Sequence, residues 1–191
     1  MTQPPKICVY CGSRPGSDAV YAETAGTVGR RIAAAGWGLI YGAGDAGLMG
    51  LTARAALEGG APVLGFIPRR LIGLEAAIDE LTATVVTETM HERKKLMMEN
   101  ADAVLALPGG IGTMDELVEA ITWRQLQIVE KPVILLDVNG YWGPFLALID
   151  HIVAQGFADP SLSNLFEVAE GVDAAMIRLS HYVEASAAAA Q

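Results

Sequence analysis

Short apolar runs alternate with amphipathic stretches along this chain. The runs fall roughly at residues 6–11, 38–41, 63–67, 84–87, 103–107, 133–138 and 166–168. The stretches between them predict helices at roughly 18–35, 47–58, 91–100, 115–129, 144–155 and 172–183, with a short helix near 74–79. Nearly every position of the runs is apolar, which is typical of strands buried on both faces. The pattern therefore predicts an α/β fold with a Rossmann-like, doubly wound parallel sheet.

No linker, repeat or shift in composition divides the chain, so one domain is expected to span residues 1–184. The alanine-rich segment 185–191 has little to bury and is expected to be a disordered tail. The first residues lack the charged and apolar regions of a secretion signal, and no apolar stretch approaches the roughly 20 residues that cross a bilayer. We therefore expect a cytoplasmic protein that does not contact a membrane.

The net charge of −9 argues against a nucleic-acid partner, because no overall positive field would attract a phosphate backbone. A small anionic ligand would need a local source of positive charge. Basic residues are concentrated around one part of the chain: Arg69, Arg70, Arg93, Lys94 and Lys95. Such a cluster can also be a solvated surface, so this observation alone does not decide between the two interpretations.

Neither the cysteines nor the histidines indicate a metal or redox centre. Cys8 and Cys11 form a C-x-x-C pattern inside a strand, whereas redox pairs sit at helix starts, so we expect two small core residues. The three histidines lack the spacing of metal ligands, and no metal is expected.

Glycine-rich turns follow three of the predicted strands, at residues 11–16, 41–50 and 108–113. In a parallel sheet these turns meet at the edge where ligands bind. The third turn leads directly into a helix, whose free N–H groups and dipole favour an anion such as phosphate. Its spacing fits neither the P-loop nor the dinucleotide fingerprint. The turns predict a pocket large enough for a nucleotide.

Glu116 allows two interpretations. Thr113-x-x-Glu116 has the form of a capping box, in which Thr113 begins the helix and Glu116 bonds back to it. Alternatively, Glu116 directs a carboxylate into the pocket. The local pattern leaves both open.

Five motifs follow one another between residues 11 and 132. They are Cys-Gly-Ser at 11–13, Gly-x-Gly-x-x-Gly-Leu-Met-Gly at 42–50, Met-His-x-Arg-Lys at 90–94, Pro-Gly-Gly-x-Gly-Thr-x-x-Glu at 108–116, and Thr-Trp-x-Gln-Leu at 122–126 before Lys131-Pro132. Together they resemble the LOG ("lonely guy") family of cytokinin riboside 5′-monophosphate phosphoribohydrolases, also described as possible lysine decarboxylases. Ala43, where many members have glycine, and the dipeptide at 129–130 depart from the pattern, which leaves fine substrate preference open.

The resemblance implies hydrolysis of the N-glycosidic bond of an adenosine 5′-monophosphate, often N6-substituted, to a free base and ribose 5-phosphate. It implies a catalytic pair, Arg93 and Glu116, and no cofactor. The residues that it assigns to substrate binding are Gly12, Ser13, Glu75, Arg93, Lys94, Gly109, Gly110, Ile111, Gly112, Thr113, Met114, Asp115, Glu116 and Thr122. The match at Glu75 rests only on its spacing to Arg93.

The implied chemistry suits these residue types. Departure of the base leaves a cation on the ribose, which a carboxylate such as Glu116 can stabilise while it orients water. Arg93 keeps its proton, so we expect it to position the substrate and supply charge. The sequence does not identify the group that protonates the leaving base; His91 is a candidate, although a role at the start of its helix is the better interpretation.

Two other classes of protein compete with the hydrolase. A non-catalytic protein that binds or senses a mononucleotide would need the glycine turns but not a carboxylate beside the sugar. A pyridoxal-phosphate decarboxylase would need a lysine for the Schiff base, and the pattern places none of Lys6, Lys94, Lys95 and Lys131 clearly in a pocket.

The helix after Glu116 is predicted to have two apolar faces. Leu117, Ile121 and Ile128 would face the sheet, whereas Trp123 and Leu126 point away from it. A surface helix normally has one apolar stripe, so the second face predicts a homodimer, which the resemblance also implies, with the active site close to the interface. A neighbouring helix of the same chain is the alternative.

Overall fold

Seven parallel strands form the centre of the structure, a computed structural model that describes residues 4–73, 78 and 80–189. The strands are β1 (Lys6–Tyr10), β2 (Gly38–Tyr41), β3 (Val63–Pro68), β4 (Ala83–Thr87), β5 (Ala103–Ala106), β6 (Val133–Asp137) and β7 (Glu167–Glu170). Their order in the sheet is β4-β3-β2-β1-β5-β6-β7, and each neighbouring pair is parallel. The predicted fold class is confirmed.

The described residues form six α-helices: α1 (Ala19–Ala34), α2 (Gly47–Glu58), α3 (Met90–Asn100), α4 (Ile111–Gln125), α5 (Gly143–Ala154) and α6 (Val172–Ala189). Short 3-10 helices cover Arg69–Leu71 and Pro160–Leu165, whereas the predicted helix near 74–79 lies almost wholly outside the described residues. Helix α6 continues past residue 184, where the sequence places the end of the domain. Within the described ranges, no helix combines the length and hydrophobicity needed to cross a membrane.

The sheet separates two hydrophobic cores, as the side chains of β1 illustrate. Ile7 and Val9 belong to the core covered by α1, α2 and α6, whereas Cys8 and Tyr10 belong to the core covered by α3, α4 and α5. All four side chains are at most 2% exposed. Burial on both faces explains why the strands are apolar at consecutive rather than alternate positions.

The two cysteines lie in different cores, so they do not form a redox pair. Cys8 belongs to the α3–α5 side and Cys11 to the α1–α2 side, and both thiols are free and buried. Burial raises the pKa of each thiol well above its ordinary value, which keeps both in the unreactive protonated form.

The sheet grows in opposite directions from β1. Strands β2 to β4 lie on one side of it and β5 to β7 on the other, so the loops after β1 and β5 diverge from neighbouring positions. Two backbone hydrogen bonds hold these loop starts together: Leu107 N–H donates to the Tyr10 carbonyl at 2.8 Å, and Gly12 N–H donates to the Pro108 carbonyl at 3.1 Å. Such a switch point is where open α/β sheets bind their ligands.

Candidate active site

A cavity of about 760 Å³ opens at this switch point. The loop after β1, the glycine-rich loop after β5 and the starts of α2, α3 and α4 form its walls. The three glycine-rich turns of the sequence therefore meet at one edge, as predicted. Leu48, Met49, Leu71 and Met90 give the cavity an apolar part beside the polar backbone of the two loops.

The start of α4 has free backbone donors. Gly110 is its N-cap residue and supplies no side-chain cap, whereas Asp18 caps α1 and Thr89 caps α3. The first helical hydrogen bond runs from the Met114 N–H to the Gly110 carbonyl at 3.1 Å. The preceding N–H groups, at residues 111–113, lie where an α-helix leaves its donors without helical partners and where anions bind.

The capping-box interpretation of Glu116 was wrong. Helix α4 begins at Ile111, so Thr113 is its third residue and Glu116 lies in the second turn. Thr113 is buried against Gly109, where an added β-carbon would lie 2.0 Å from the threonine Oγ1. The inward packing of Thr113 leaves it no place at the N-cap, and Glu116 is left available for the cavity.

A capping arrangement does form, but at the start of α3. The Thr89 Oγ1 accepts a hydrogen bond from the Glu92 N–H at 3.1 Å, and the Glu92 carboxylate accepts one from the Glu88 N–H at 2.7 Å. These bonds fix the first turn of α3 and thereby the place of Arg93, the residue that follows Glu92.

Arg93 and Glu116 meet in the cavity. The Nη2 of Arg93 lies 3.4 Å from Oε1 of Glu116, and the two side chains are 8% and 13% exposed. Burial raises the pKa of Glu116 to about 7, and the opposing positive charge of Arg93 does not offset it. At neutral pH this carboxyl group therefore exchanges a proton readily, which suits a group that must be anionic at one step and accept a proton at another.

The guanidinium of Arg93 rests directly on the backbone of Gly42. A β-carbon at residue 42 would lie 1.8 Å from Nη2 and 2.9 Å from Cζ of Arg93. Glycine is therefore required here for the close approach of the side chain. The Nε of Arg93 is buried and has no hydrogen-bond partner among the described residues, so the group retains unused donor capacity.

Lys94 joins α3 to α4 beside this pair. Its Nζ lies 2.9 Å from Oδ2 of Asp115 and 3.2 Å from Oε1 of Glu119, and the lysine side chain is only 6% exposed. Burial opposes the charged form, but the two carboxylates outweigh it and raise the pKa of Lys94. The buried ammonium group of Lys94 thus contacts two carboxylates of α4 and fixes the position of this helix, which also carries Glu116.

A family model described as "Possible lysine decarboxylase" matches residues 49–179. The chain is 42% identical to the cytokinin riboside 5′-monophosphate phosphoribohydrolase LOG of Oryza sativa subsp. japonica, over 93% of this chain and 74% of the relative. It is 48% identical to LOGL1 of the same organism, named as a probable enzyme of this kind, over 80% of this chain and 68% of the relative.

The chain belongs to the LOG family. A molybdenum cofactor carrier protein of Chlamydomonas reinhardtii has the same fold, with a TM-score of 0.73, 22% identity and coverage of 95% of this chain and 99% of the carrier. At that identity the likeness shows the fold alone.

Most of the residues that the LOG motifs assign to the site line the cavity. These are Gly12, Ser13, Arg93, Gly109, Gly110, Ile111, Gly112, Thr113, Asp115 and Glu116. Lys94 is not among the described lining residues, and Met114 and Thr122 lie instead along a depression on the outer face of α4. Glu75 lies outside the described residues.

Two tyrosines of the cavity were not foreseen from the LOG motifs. Tyr21 comes from the first turn of α1, and Tyr141 comes from the loop between β6 and α5. The signal for Tyr141 was its position: it follows a strand of the same parallel sheet, so its loop belongs to the ligand-binding edge even without a glycine-rich motif.

The outer face of α4 differs from the prediction. The helix ends at Gln125, so Ile128 lies outside it and is 62% exposed rather than packed on the sheet. Trp123 packs partly against the α3–α5 core, whereas Leu126 is 63% exposed as expected. The exposed apolar residues of α4 and of the turn that follows it, called here the apolar stripe, are Ile111, Val118, Leu126 and Ile128.

The histidines do not contribute a centre of their own in the described part of the chain. His91 is exposed in the first turn of α3 and does not line the cavity. The described residues contain no group of three His, Cys, Asp or Glu side chains that could hold a metal ion.

Proposed function

We propose that this protein hydrolyses the N-glycosidic bond of adenosine 5′-monophosphates, including N6-substituted forms, and releases a free base and ribose 5-phosphate. The observation that carries the proposal is the buried Arg93–Glu116 pair in a cavity whose wall is the uncapped start of α4. The LOG relatives of this chain are named for this activity.

The start of α4 suits the 5′-phosphate. Its free N–H groups and its dipole favour a dianion, and no side-chain cap competes for them. Glu116 lies five residues beyond Ile111, about 7.5 Å along a helix axis. A ribose 5-phosphate is of comparable length, so a phosphate at the start of α4 would bring the anomeric carbon close to Glu116.

The chemistry at that carbon follows from the pair. The bond between the anomeric carbon and the base nitrogen breaks, the base takes the bonding electrons, and the ribose becomes cationic. The anionic form of Glu116 stabilises this cation and removes a proton from the water that attacks it. Arg93 holds the carboxylate in place and donates hydrogen bonds to the substrate without giving up its proton. The departing base takes up a proton from solvent, and Glu116 returns to solvent the proton that it removed from the attacking water, so that one water molecule is consumed in all.

A nucleotide-binding protein without catalysis is the second candidate. The uncapped helix start alone would serve such a protein. The relatives of this chain, however, are named as phosphoribohydrolases, and a buried carboxylate beside the sugar is what the hydrolysis requires. We therefore favour the hydrolase.

One assay separates these candidates. The purified protein is incubated with AMP, with isopentenyladenosine monophosphate and with the two corresponding nucleosides, and free base is measured by chromatography. The proposal expects base and ribose 5-phosphate from the monophosphates, at rates at least 100-fold above those from the nucleosides. Binding of a monophosphate without base release would support the binding protein, and equal turnover of adenosine and AMP would contradict the role of α4.

Assembly and location complete the proposal. The exposed apolar stripe on α4 borders a depression of about 620 Å³ that shares Ile111 and Asp115 with the cavity. A second copy of the chain on this stripe would cover apolar surface and lie beside the active site, so the protein acts as a homodimer. Nucleoside monophosphates are cytoplasmic metabolites, and the proposed location is the cytoplasm.

A further inference from the structure

The loop between β6 and α5 has a fixed backbone on both sides of Tyr141. The Asp137 carboxylate accepts hydrogen bonds from the N–H groups of Gly140 at 3.1 Å and Trp142 at 2.9 Å. Trp142 is fully buried, and its indole N–H donates to the Leu136 carbonyl at 3.1 Å. These contacts therefore fix the position of Tyr141 in the cavity wall.

The side chain of Tyr141 connects three loops of the cavity. Its ring packs edge-to-face on Trp142, with centroids 5.2 Å apart, and on Tyr21, at 6.0 Å. Tyr21 in turn packs on Gly16, where a β-carbon would lie 2.7 Å from the ring. The hydroxyl of Tyr141 donates a hydrogen bond to the carbonyl oxygen of Gly109. The loops after β1, β5 and β6 thus meet at this tyrosine.

The bond to Gly109 sets the direction of the next backbone donor. A peptide group is planar and trans, so the Gly109 carbonyl and the Gly110 N–H point in opposite directions. A β-carbon on Gly110 would meet no atom within 4 Å, and two consecutive glycines leave the peptide between them free of side chains that would restrict its rotation. Rotation would exchange an N–H donor for a carbonyl oxygen at the start of α4, where an anion would be repelled.

We propose that Tyr141 is a positioning residue for a phosphate monoester at the start of α4, because its hydroxyl holds the Gly109–Gly110 peptide in the anion-binding orientation. The inference rests on the proposed function and specifies one further residue of that site. Tyr141 acts on the phosphate end of the substrate rather than on the anomeric carbon. Its loss should therefore weaken binding and leave the chemical step almost unchanged.

The variant Tyr141→Phe tests this, because it keeps the ring contacts and removes only the hydroxyl. We expect the KM for AMP and the dissociation constants for ribose 5-phosphate and inorganic phosphate to rise about tenfold, with kcat within about twofold of wild type. Adenosine, which lacks the phosphate, should bind equally to both proteins. The matched control is Tyr182→Phe, which removes a hydroxyl bonded to Glu167 outside the cavity and should change none of these values.

A measurement without ligand distinguishes positioning from direct contact. In ¹⁵N-labelled protein, Tyr141→Phe should shift the amide resonance of Gly110 and accelerate its hydrogen exchange, whereas Tyr182→Phe should not. An unchanged KM would overturn the inference, as would a raised KM with unchanged Gly110 resonances in the free protein. If no nucleotide is hydrolysed by wild type, the proposed function fails, but phosphate binding and the Gly110 resonances still test Tyr141.

Discussion

The Nη2 of Arg93 and the Oε1 of Glu116 lie 3.4 Å apart although the residues belong to different helices. A second ionic contact fixes the same two helices, because Lys94, the neighbour of Arg93, lies between Asp115 and Glu119. These two carboxylates flank Glu116 along α4. The reactive pair is therefore held in place by an ionic contact between residues close to it in sequence.

Replacement of Glu116 by glutamine separates catalysis from folding. The variant keeps the shape of the side chain and removes its charge, so turnover of AMP should fall roughly 100-fold or more. Nucleotide affinity should stay within a few fold, and the Tm should not decrease, because a nearly buried charge is lost and no cap depends on it. Base release, calorimetric titration and thermal unfolding measure the three quantities.

The control for that variant is Glu119→Gln on the next turn of α4. Glu119 does not line the cavity, and Lys94 keeps its contact with Asp115 when the charge of Glu119 is removed, so turnover should fall less than threefold. A fully active Glu116→Gln protein would show that the carboxylate is not required.

The pH dependence of turnover should report Glu116. Burial raises its pKa to about 7, and the anion is the form that stabilises a ribosyl cation. We expect kcat for AMP to rise with pH, with a slope of one in a plot of log kcat against pH. The midpoint should lie at or above pH 7, because a bound phosphate disfavours the anionic carboxylate further. The profile of kcat is the relevant measurement, since it reports groups of the enzyme–substrate complex. A decline above pH 7 would instead assign Glu116 as the proton donor.

The same pKa has a consequence for stability. Between about pH 4.5 and pH 7 the folded protein keeps a proton on Glu116 that the unfolded chain has released, so this group's contribution to stability is lost as the pH rises through that window. The free energy of unfolding of Glu116→Gln minus that of wild type should therefore increase between pH 4.5 and pH 8, by at most about 3 kcal/mol. Urea unfolding at the two pH values measures the difference, and a constant difference would refute the raised pKa.

Gly42→Ala should inactivate the enzyme without unfolding it. The new β-carbon would lie 1.8 Å from the Nη2 of Arg93, the flexible end of a side chain, so the guanidinium would be displaced while the backbone stays in place. We expect at least a 100-fold loss of turnover, since small misplacements of catalytic groups cost that much. Gly143→Ala is the matched control, because a β-carbon there meets nothing within 4 Å. Equal activity of the two variants would contradict the requirement for glycine.

The sequence predicted the architecture because the central strands β1, β2, β5 and β6 are buried on both faces and are therefore apolar at consecutive positions. Alternating apolar runs and helices suffice for a parallel sheet, and the carboxyl ends of β1 and β5 then define the site. The register of a helix start is a different matter. Thr113-x-x-Glu116 and Thr89-x-x-Glu92 have the same pattern, but only Thr89 caps its helix. Thr113 packs inward against Gly109 instead, which the pattern does not reveal.

Side chains that arrive from distant loops were also beyond the sequence. Tyr141 and Gly109 are 32 positions apart, and no local pattern connects a tyrosine hydroxyl to a particular carbonyl. The end of α4 at Gln125 was likewise not predicted, and this changed the assignment of residues to the outer face. A helical wheel carried past that residue assigned Ile128 to the core, because the wheel assumes a helix that the chain no longer forms.

Assembly is tested best at Val118, in the middle of the exposed stripe on α4. Trp123 is a poor probe, because it packs partly in the core of its own chain and its replacement would lower stability as well as change the surface. Val118 is 49% exposed, so Val118→Glu should fold normally and yet place a charge in the apolar contact between two copies.

Light scattering should give wild type about twice the chain mass of 20.1 kDa at micromolar concentration, and the variant the mass of one chain. The control Ile177→Glu, on α6 and 58% exposed, should remain dimeric. Because the stripe borders the cavity at Ile111 and Asp115, the monomeric variant should also hydrolyse AMP more slowly. A monomeric wild type, or a dimeric Val118→Glu protein, would show that α4 does not form the interface.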